Sequence, residues 1–376
     1  MIDPWTVFYC VAFFACVNGT LGMIVGYWNN ALGFNDAEFE APKPPGRLRI
    51  MALGDSFAFG YVPYPDNVLT LAEELLRASC PGHDLDLLNF GINGAGVWMY
   101  KTLFELARPI YEPDIVAIHF YMGNDGPDVY RLRNDLPRPR GGTHSYLWTF
   151  GTSVWRVWRA VDHAPSPPLG GPTVGAVGGE RVGPGPRLTD DDPLMSTPTY
   201  SPEAFREIDR QELMHLYAPR RDPGRVARAW APILDVLDTI RQEAARHRIR
   251  MIIVLFPSEL QVYPARRAEV LDALPARGTH ADVSDADIDP TMPYQVVRAY
   301  CDRAGIDCYD VTRDLLVASR KSDLPLYRPR DTHRNIRGNR VAAEAEAAFL
   351  RAFVSHWIRS GRARKRVGKR RGSPAR

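Results

Sequence analysis

LRIMALGDSFAFGYVPYP, residues 48–65, is a mostly apolar run of strand length that stops at Gly54; Asp55, Ser56 and, four residues past the serine, Gly60 follow. Gly-Asp-Ser is ordinary turn chemistry, since glycine tolerates unusual backbone angles and Asp and Ser bond their own main chain. It is also how a nucleophile would look at the carboxyl end of a parallel strand, in the crevice where open α/β sheets bind ligands. The tripeptide alone does not choose between these readings.

Downstream the chain repeats the pattern. Strand-length apolar runs cover Leu48–Leu53, Leu85–Phe90, Asp114–Phe120, Arg250–Phe256 and Ile306–Val311. Helical patterns over Asn67–Ala78, Val97–Tyr111, Pro223–His247, Pro293–Arg303 and Asn339–Ile358 separate or follow them. The alternation predicts an α/β fold, a three-layer α/β/α sandwich around a five-stranded parallel sheet. Parallel strands buried on both faces read as nearly continuous apolar runs, and these do. The rhythm breaks over an insertion at about residues 126–222. Its first part, Ser145–Val161, interleaves Trp148, Trp155 and Trp158 with Arg156 and Arg159, which suits a lid, an interfacial helix or a helix packed on the domain. Its Pro- and Gly-rich middle, Pro165–Pro202, holds the triplet Asp190, Asp191, Asp192; a long loop of this kind is functional or disordered.

With 376 residues, 45% of them apolar, the chain is long enough for a large core. The formal charge of +3 is uneven, because nine of the 47 Lys and Arg residues lie in the segment 359–376, read as a solvated basic tail. The remainder is mildly acidic, which argues against a nucleic-acid enzyme and for no specific nucleic-acid partner. Trp5–Trp28 is 24 residues without a charge and aromatic at both borders, so residues 1–28 are expected to form a hydrophobic membrane-anchor helix. A signal peptide and a buried helix are the rivals. An acidic, Pro-rich stretch at 29–46 reads as a linker to a domain over 47–358, expected to face the extracytoplasmic side. The five cysteines show no metal-ligand spacing, and no metal or cofactor is expected. Cys301 and Cys308, across a helix-to-strand turn, are read as free, semi-buried thiols, although an exported domain could pair them.

The chemistry sits at the strand ends. After the first strand comes Gly54-Asp55-Ser56, after the second NFGINGAG (89–96), after the third YMGNDG (121–126), and before the last helix RDTHRNIRGNRVAAE (330–344). In a doubly wound sheet these loops converge on one rim. A serine hydroxyl attacks an ester poorly until a base takes its proton, and histidine suits that task near neutrality. A carboxylate on the other ring nitrogen fixes the tautomer. Asp331 and His333, two apart in an extended loop, can face one partner. The oxyanion needs fixed donors: the Ser56 and Gly94 backbone N–H groups and the Asn124 amide are the candidates. Asp55 is expected to brace the nucleophile turn, Asp125 to cap the segment after Asn124, and Asn93 and Gly96 to shape the oxyanion loop. His119 and His144 are read as structural or exposed. A phosphate-cradling reading of the Gly54–Gly60 loop lacks the Walker lysine and the Gly-x-Gly-x-x-Gly spacing.

In this order the motifs resemble the four blocks of the SGNH hydrolases, also called GDSL esterases and lipases. Gly54-Asp55-Ser56 resembles the nucleophile block, Asn89-x-Gly91-x-x-Gly94 the second, Gly123-Asn124-Asp125 the third and Asp331-Thr332-His333 the last. The resemblance spans about Leu48–Ile358, apart from the insertion. It implies a flavodoxin-like fold, a Ser56–His333–Asp331 triad and an oxyanion hole of Ser56, Gly94 and Asn124. It also implies an acyl-enzyme route to hydrolysis of an O-acyl ester, by preference an acetyl ester on carbohydrate. One departure stands out: the family's usual spacing is Asp-x-x-His, and position 330 here is Arg. The shorter form, and FPSELQVYP at 256–264, resemble branches that act on or acetylate bacterial surface polysaccharides. An O-acyltransferase and a noncatalytic carbohydrate-binding protein on the same fold are therefore the alternatives.

Overall fold

The computed structural model describes residues 29–126, 187–190, 192–216, 223–274 and 284–359. The Trp5–Trp28 segment, the Trp/Arg stretch, His144 and the basic tail lie outside these residues. Among the described residues no helix is long and apolar enough to cross a membrane.

Five strands form one sheet: β1 (Leu48–Gly54), β2 (Leu85–Gly91), β3 (Ile115–Tyr121), β4 (Arg250–Phe256) and β5 (Asp307–Asp310). All pairs are parallel and the spatial order is β2-β1-β3-β4-β5, the flavodoxin-like order, as the sequence predicts. The longer helices are α1 (Val68–Ser79), α2 (Val97–Tyr111), α3 (Pro202–His215), α4 (Pro223–Arg246), α5 (Pro264–Asp272), α6 (Met292–Ala304), α7 (Thr312–Ser319) and α8 (Ile336–Arg359).

Successive strand side chains point to opposite faces, and β1 uses both. Ile50 and Ala52 join the layer that contains Leu69, Leu76, Leu315 and Leu350 of α1, α7 and α8. Met51 and Leu53 join Phe104, Leu237 and Val297 of α2, α4 and α6. Fully burying one such Leu or Met is worth about 1.5–3 kcal/mol, so β1, buried along its whole length, is a firm base from which to hang a side chain. At its start Arg49, fully buried, meets Asp86 at 2.7 Å and donates to the Tyr111 carbonyl at 3.0 Å. Removing one partner of such a pair typically costs about 3–5 kcal/mol.

Three expectations change. Residues 29–46 are packed against the domain instead of linking to it: Phe34 meets Phe90 edge-on and Phe39 meets it at a tilt, and Lys43 Nζ reaches Asp114 at 2.6 Å. Asn35, fully buried, donates to the Phe59 and Val62 carbonyls at 3.1 and 3.0 Å and so braces the segment just past Ser56. Within the insertion, Pro202–His215 is a helix whose N-cap Ser201 accepts from Ala204 N at 3.3 Å. Cys301 and Cys308 are joined by a disulfide, not free, because α6 turns into β5 tightly enough to bring their Cα atoms to 6.2 Å.

Candidate active site

The nucleophile turn is set by contact with both neighbouring strands. β1 lies between β2 and β3, with Gly54 paired to Gly91 on one side and to His119 on the other. A Cβ on Gly54 would stand 2.6 Å from Ala58 Cβ and 2.9 Å from His119 Cβ, and one on Gly91 only 2.2 Å from the Phe59 nitrogen. Both glycines therefore let the turn Ser56–Phe59 sit directly on the sheet. Asp55 caps that turn, its Oδ1 accepting from Phe57 N at 2.8 Å, which is the bracing role expected of it. Asn89 adds a second brace: its amide donates to the Ala58 carbonyl at 2.9 Å and its Oδ1 accepts from Gly91 N at 2.8 Å.

Ser56 is joined to the last loop across 277 residues of sequence: its Oγ lies 2.8 Å from His333 Nε2. His333 Nδ1 lies 2.6 Å from Asp331 Oδ1, which also accepts from the His333 backbone N–H at 3.0 Å. With Nδ1–H donating to the carboxylate, Nε2 is left to accept from the serine hydroxyl. Arg330, immediately before Asp331, adopts φ +46°, a left-handed angle uncommon outside glycine, and so sets the direction in which the Asp331–His333 pair leaves the preceding loop. Phe57 and Tyr61 flank the imidazole, ring centroids 5.0 and 4.3 Å away. Tyr263 and Tyr327 tie the same loop to the FPSELQVYP stretch, accepting from Leu326 N at 3.1 Å and donating to the Pro257 carbonyl at 3.0 Å respectively.

Asp331 is fully buried. Burial pushes its carboxyl up, but His333, Arg328 and Thr199 more than offset that and hold it at about 2. The group is therefore anionic wherever the protein works. Behind the site Tyr121 stacks on Phe57 at 3.5 Å and donates to Glu212 Oε1 at 2.5 Å. Burial raises the Glu212 carboxyl to about 8 against the Tyr121 hydrogen bond, with Asp209, Glu259 and Asp331 adding to the rise.

The other expected residues occupy the loops on either side of Ser56 without bonding to the triad. Gly94 follows β2 with φ +70° and open space around it. Asn124 stands half-buried in the turn after β3, which Asp125 braces by accepting from Tyr121 N at 2.7 Å and Tyr100 OH at 2.8 Å. Among the described residues neither the Ser56 nor the Gly94 backbone N–H has a protein acceptor, so both are available to a ligand. His119 is structural, fully buried and 2.7 Å from Glu346 of α8. Among the described residues no cluster of His, Cys, Asp and Glu could hold a metal ion.

The crevice beside Ser56, between Phe57, Gly60, Tyr61, His333, Arg334 and Asn339, is narrow, with no room between its walls for even a water molecule. A larger cavity of about 520 Å³ opens at the opposite, amino-terminal end of the strands near Arg248, Arg250 and Trp357, away from the serine. Sequence reasoning missed Thr199, Arg328 and Tyr61. Arg328 was findable as an i, i+3 charge partner of Asp331, and Thr199, 132 residues away, was not.

No family model and no curated relative matches the chain. Among solved structures, an acetyl xylan esterase aligns at 13% identity and TM-score 0.38 over 81% of this chain and 100% of its own. A lipolytic protein of the G-D-S-L family from Veillonella parvula aligns at 14% identity and TM-score 0.38, covering 80% of this chain and 97% of its own. A catalytic mutant of an acetylxylan esterase from Geobacillus stearothermophilus aligns at 15% and 0.38, covering 81% and 93%. At such scores the reading of the site rests on its own geometry. In motif order, sheet topology and the groups that meet beside Ser56, the chain is similar to the SGNH, or GDSL, esterases and lipases.

Proposed function

We propose that this chain is a serine esterase of the SGNH type that cleaves an O-acyl ester through an acyl-enzyme. The observation that carries the reading is the unbroken hydrogen-bond chain from Ser56 Oγ through His333 to Asp331, at 2.8 and 2.6 Å. His333 Nε2 takes the Ser56 proton as Oγ bonds to the ester carbon. The imidazolium, held by Asp331, then gives that proton to the departing alkoxide as the C–O bond breaks. In the second half-reaction water loses a proton to Nε2 and attacks the acyl carbon, and the proton returns to Ser56 as the acid is released. The Ser56 and Gly94 N–H groups and the Asn124 amide are the proposed donors to the developing oxyanion, where fixed donors count most.

The acyl group is proposed to be acetyl, on the motif resemblance alone. The alcohol portion is proposed to be carbohydrate, on the motif resemblance.

The test is labelling of the folded protein with a fluorophosphonate, beside hydrolysis of p-nitrophenyl acetate with and without an oligosaccharide acceptor. Labelling confined to Ser56, and free acetate that disappears in Ser56→Ala, are the expected results. Failure to label overturns the serine mechanism; acceptor-dependent product without free acetate replaces the esterase by an acyltransferase.

A further inference from the structure

Two described stretches of the insertion, residues 187–190 and 192–200, run along the rim that carries the triad. Leu188 N donates to Asp66 Oδ2 at 2.7 Å, and Asp190 pairs with Arg337 at 3.2 Å. Buried Met195 packs with Val62 and Ile336, which lie beside Tyr61 and His333 in sequence. Thr199 N and Tyr200 N then donate to the Pro329 and Arg330 carbonyls, both at 3.2 Å, so the strap lies against the acid loop.

It ends on the acid itself. Thr199 Oγ1 donates to Asp331 Oδ2 at 2.6 Å, and Arg328 Nη1 lies 3.2 Å from the same oxygen. The two carboxylate oxygens are thus divided: Oδ1 serves the Nδ1–H and backbone N–H of His333, and Oδ2 is held from the other side. A carboxylate gripped at one oxygen alone can rotate about its Cβ–Cγ bond and carry the imidazole with it. Gripped at both, it presents Oδ1 in one direction, and a site is only as exact as the groups that support it. The Arg330 carbonyl, in the left-handed turn immediately before Asp331, accepts from Tyr200 N, so the strap also holds the turn that leads into the acid.

We infer that Thr199, with Arg328, is a positioning residue for the triad: the insertion's returning strap fixes the Asp331 carboxylate so that His333 Nε2 stays aligned on Ser56. This rests on the serine-esterase reading above. It also gives the insertion a role in the chemistry of the domain and not only in walling the substrate.

The experiment uses the full chain and three proteins: wild type, Thr199→Val and Thr199→Ser. Kinetics on p-nitrophenyl acetate are normalised to the fraction of fluorophosphonate-reactive sites, and the low-field proton NMR signal of the His333 Nδ1–H is recorded. The valine variant is expected to lose about tenfold in kcat with KM unchanged, the worth of one hydrogen bond to a charged group, and to lose or shift the low-field signal. The serine variant restores both. A strap with a merely structural role lowers the melting temperature and the reactive fraction but leaves kcat per reactive site and the NMR signal alone, and that result overturns the inference. If Thr199→Val does not fold, Thr199→Ala, smaller and equally without a hydroxyl, is read the same way. If wild type neither labels nor hydrolyses but the signal still depends on the Thr199 hydroxyl, the esterase reading fails and the positioning role stands.

Discussion

Replacing Glu212 by Gln isolates one buried acid behind the nucleophile. In the folded protein its carboxyl rises from 4.5 to about 8, mainly through burial, and Tyr121 donates to it at 2.5 Å. At about 1.36 kcal/mol per tenfold, that rise corresponds to about 5 kcal/mol of pH-dependent folding free energy. The folded state binds this proton more tightly than the unfolded chain does. The contribution is therefore complete below about pH 4.5, where both states are protonated, and is lost as pH rises through about 8. Gln keeps the shape and an acceptor for Tyr121 but cannot ionise. Urea denaturation of wild type and Glu212→Gln at about pH 5 and about pH 9 should show similar stabilities at the lower pH and a wild-type deficit of several kcal/mol at the higher. Glu73, raised to about 7 mainly by burial, titrates in the same window in both proteins, whereas Glu259, also raised to about 7, repels Glu212, so the difference reports Glu212 together with that repulsion. Because Tyr121 stacks on Phe57 next to Ser56, esterase activity should also persist to higher pH in the variant. Stability curves that fall in parallel across this range would refute the assignment.

Asp331→Asn should cut kcat by about 10³–10⁴-fold at unchanged KM, since an amide donating to Nδ1 leaves the proton on Nε2, and a loss under tenfold in steady-state kinetics would remove Asp331 from the triad. Asn124→Ala should raise the barrier by about 2.7–4 kcal/mol, read as kcat on p-nitrophenyl acetate; wild-type kcat would take the amide out of the oxyanion site. Gly91→Ala puts a Cβ 2.2 Å from the Phe59 nitrogen, so a stability loss of about 1–3 kcal/mol and slower fluorophosphonate labelling are expected, and normal labelling would mean the turn does not rest on β2. Without reductant, mass spectrometry of the peptide spanning Cys301 and Cys308 should find it lighter by two hydrogens, and the full thiol mass would show the pair to be open.

The sheet was legible because a strand buried on both faces has little choice of side chain: β4 matches to the residue, β1 and β2 to within one residue at one end, and β3 to within one residue at each end. The triad was legible because its loops are short and follow strand ends that topology places side by side. What stayed hidden depends on tertiary partners. The acidic, Pro-rich composition of 29–46 reads as a linker, yet Asn35, Asp36 and Lys43 are each buried against a partner elsewhere: Phe59 and Val62, Asn89, and Asp114 respectively. Helix α3 carries charge along most of its length, and its Ser201-Pro202-Glu203 start was the one local signal of it. Thr199 belongs to the site only through the fold, because nothing near it in sequence is chemical.

The separation of 277 residues between Ser56 and its base has a consequence in time. At about 5–20 residues per second, a ribosome that has just made the nucleophile strand needs roughly 15–55 s to reach the histidine. Until then the half-made chain carries a serine with no base and, in His119, a buried imidazole still waiting for Glu346, 227 residues further on. On the serine-esterase reading the emerging polypeptide is thus chemically silent until His333 has been made, with Glu346 of α8 following close behind.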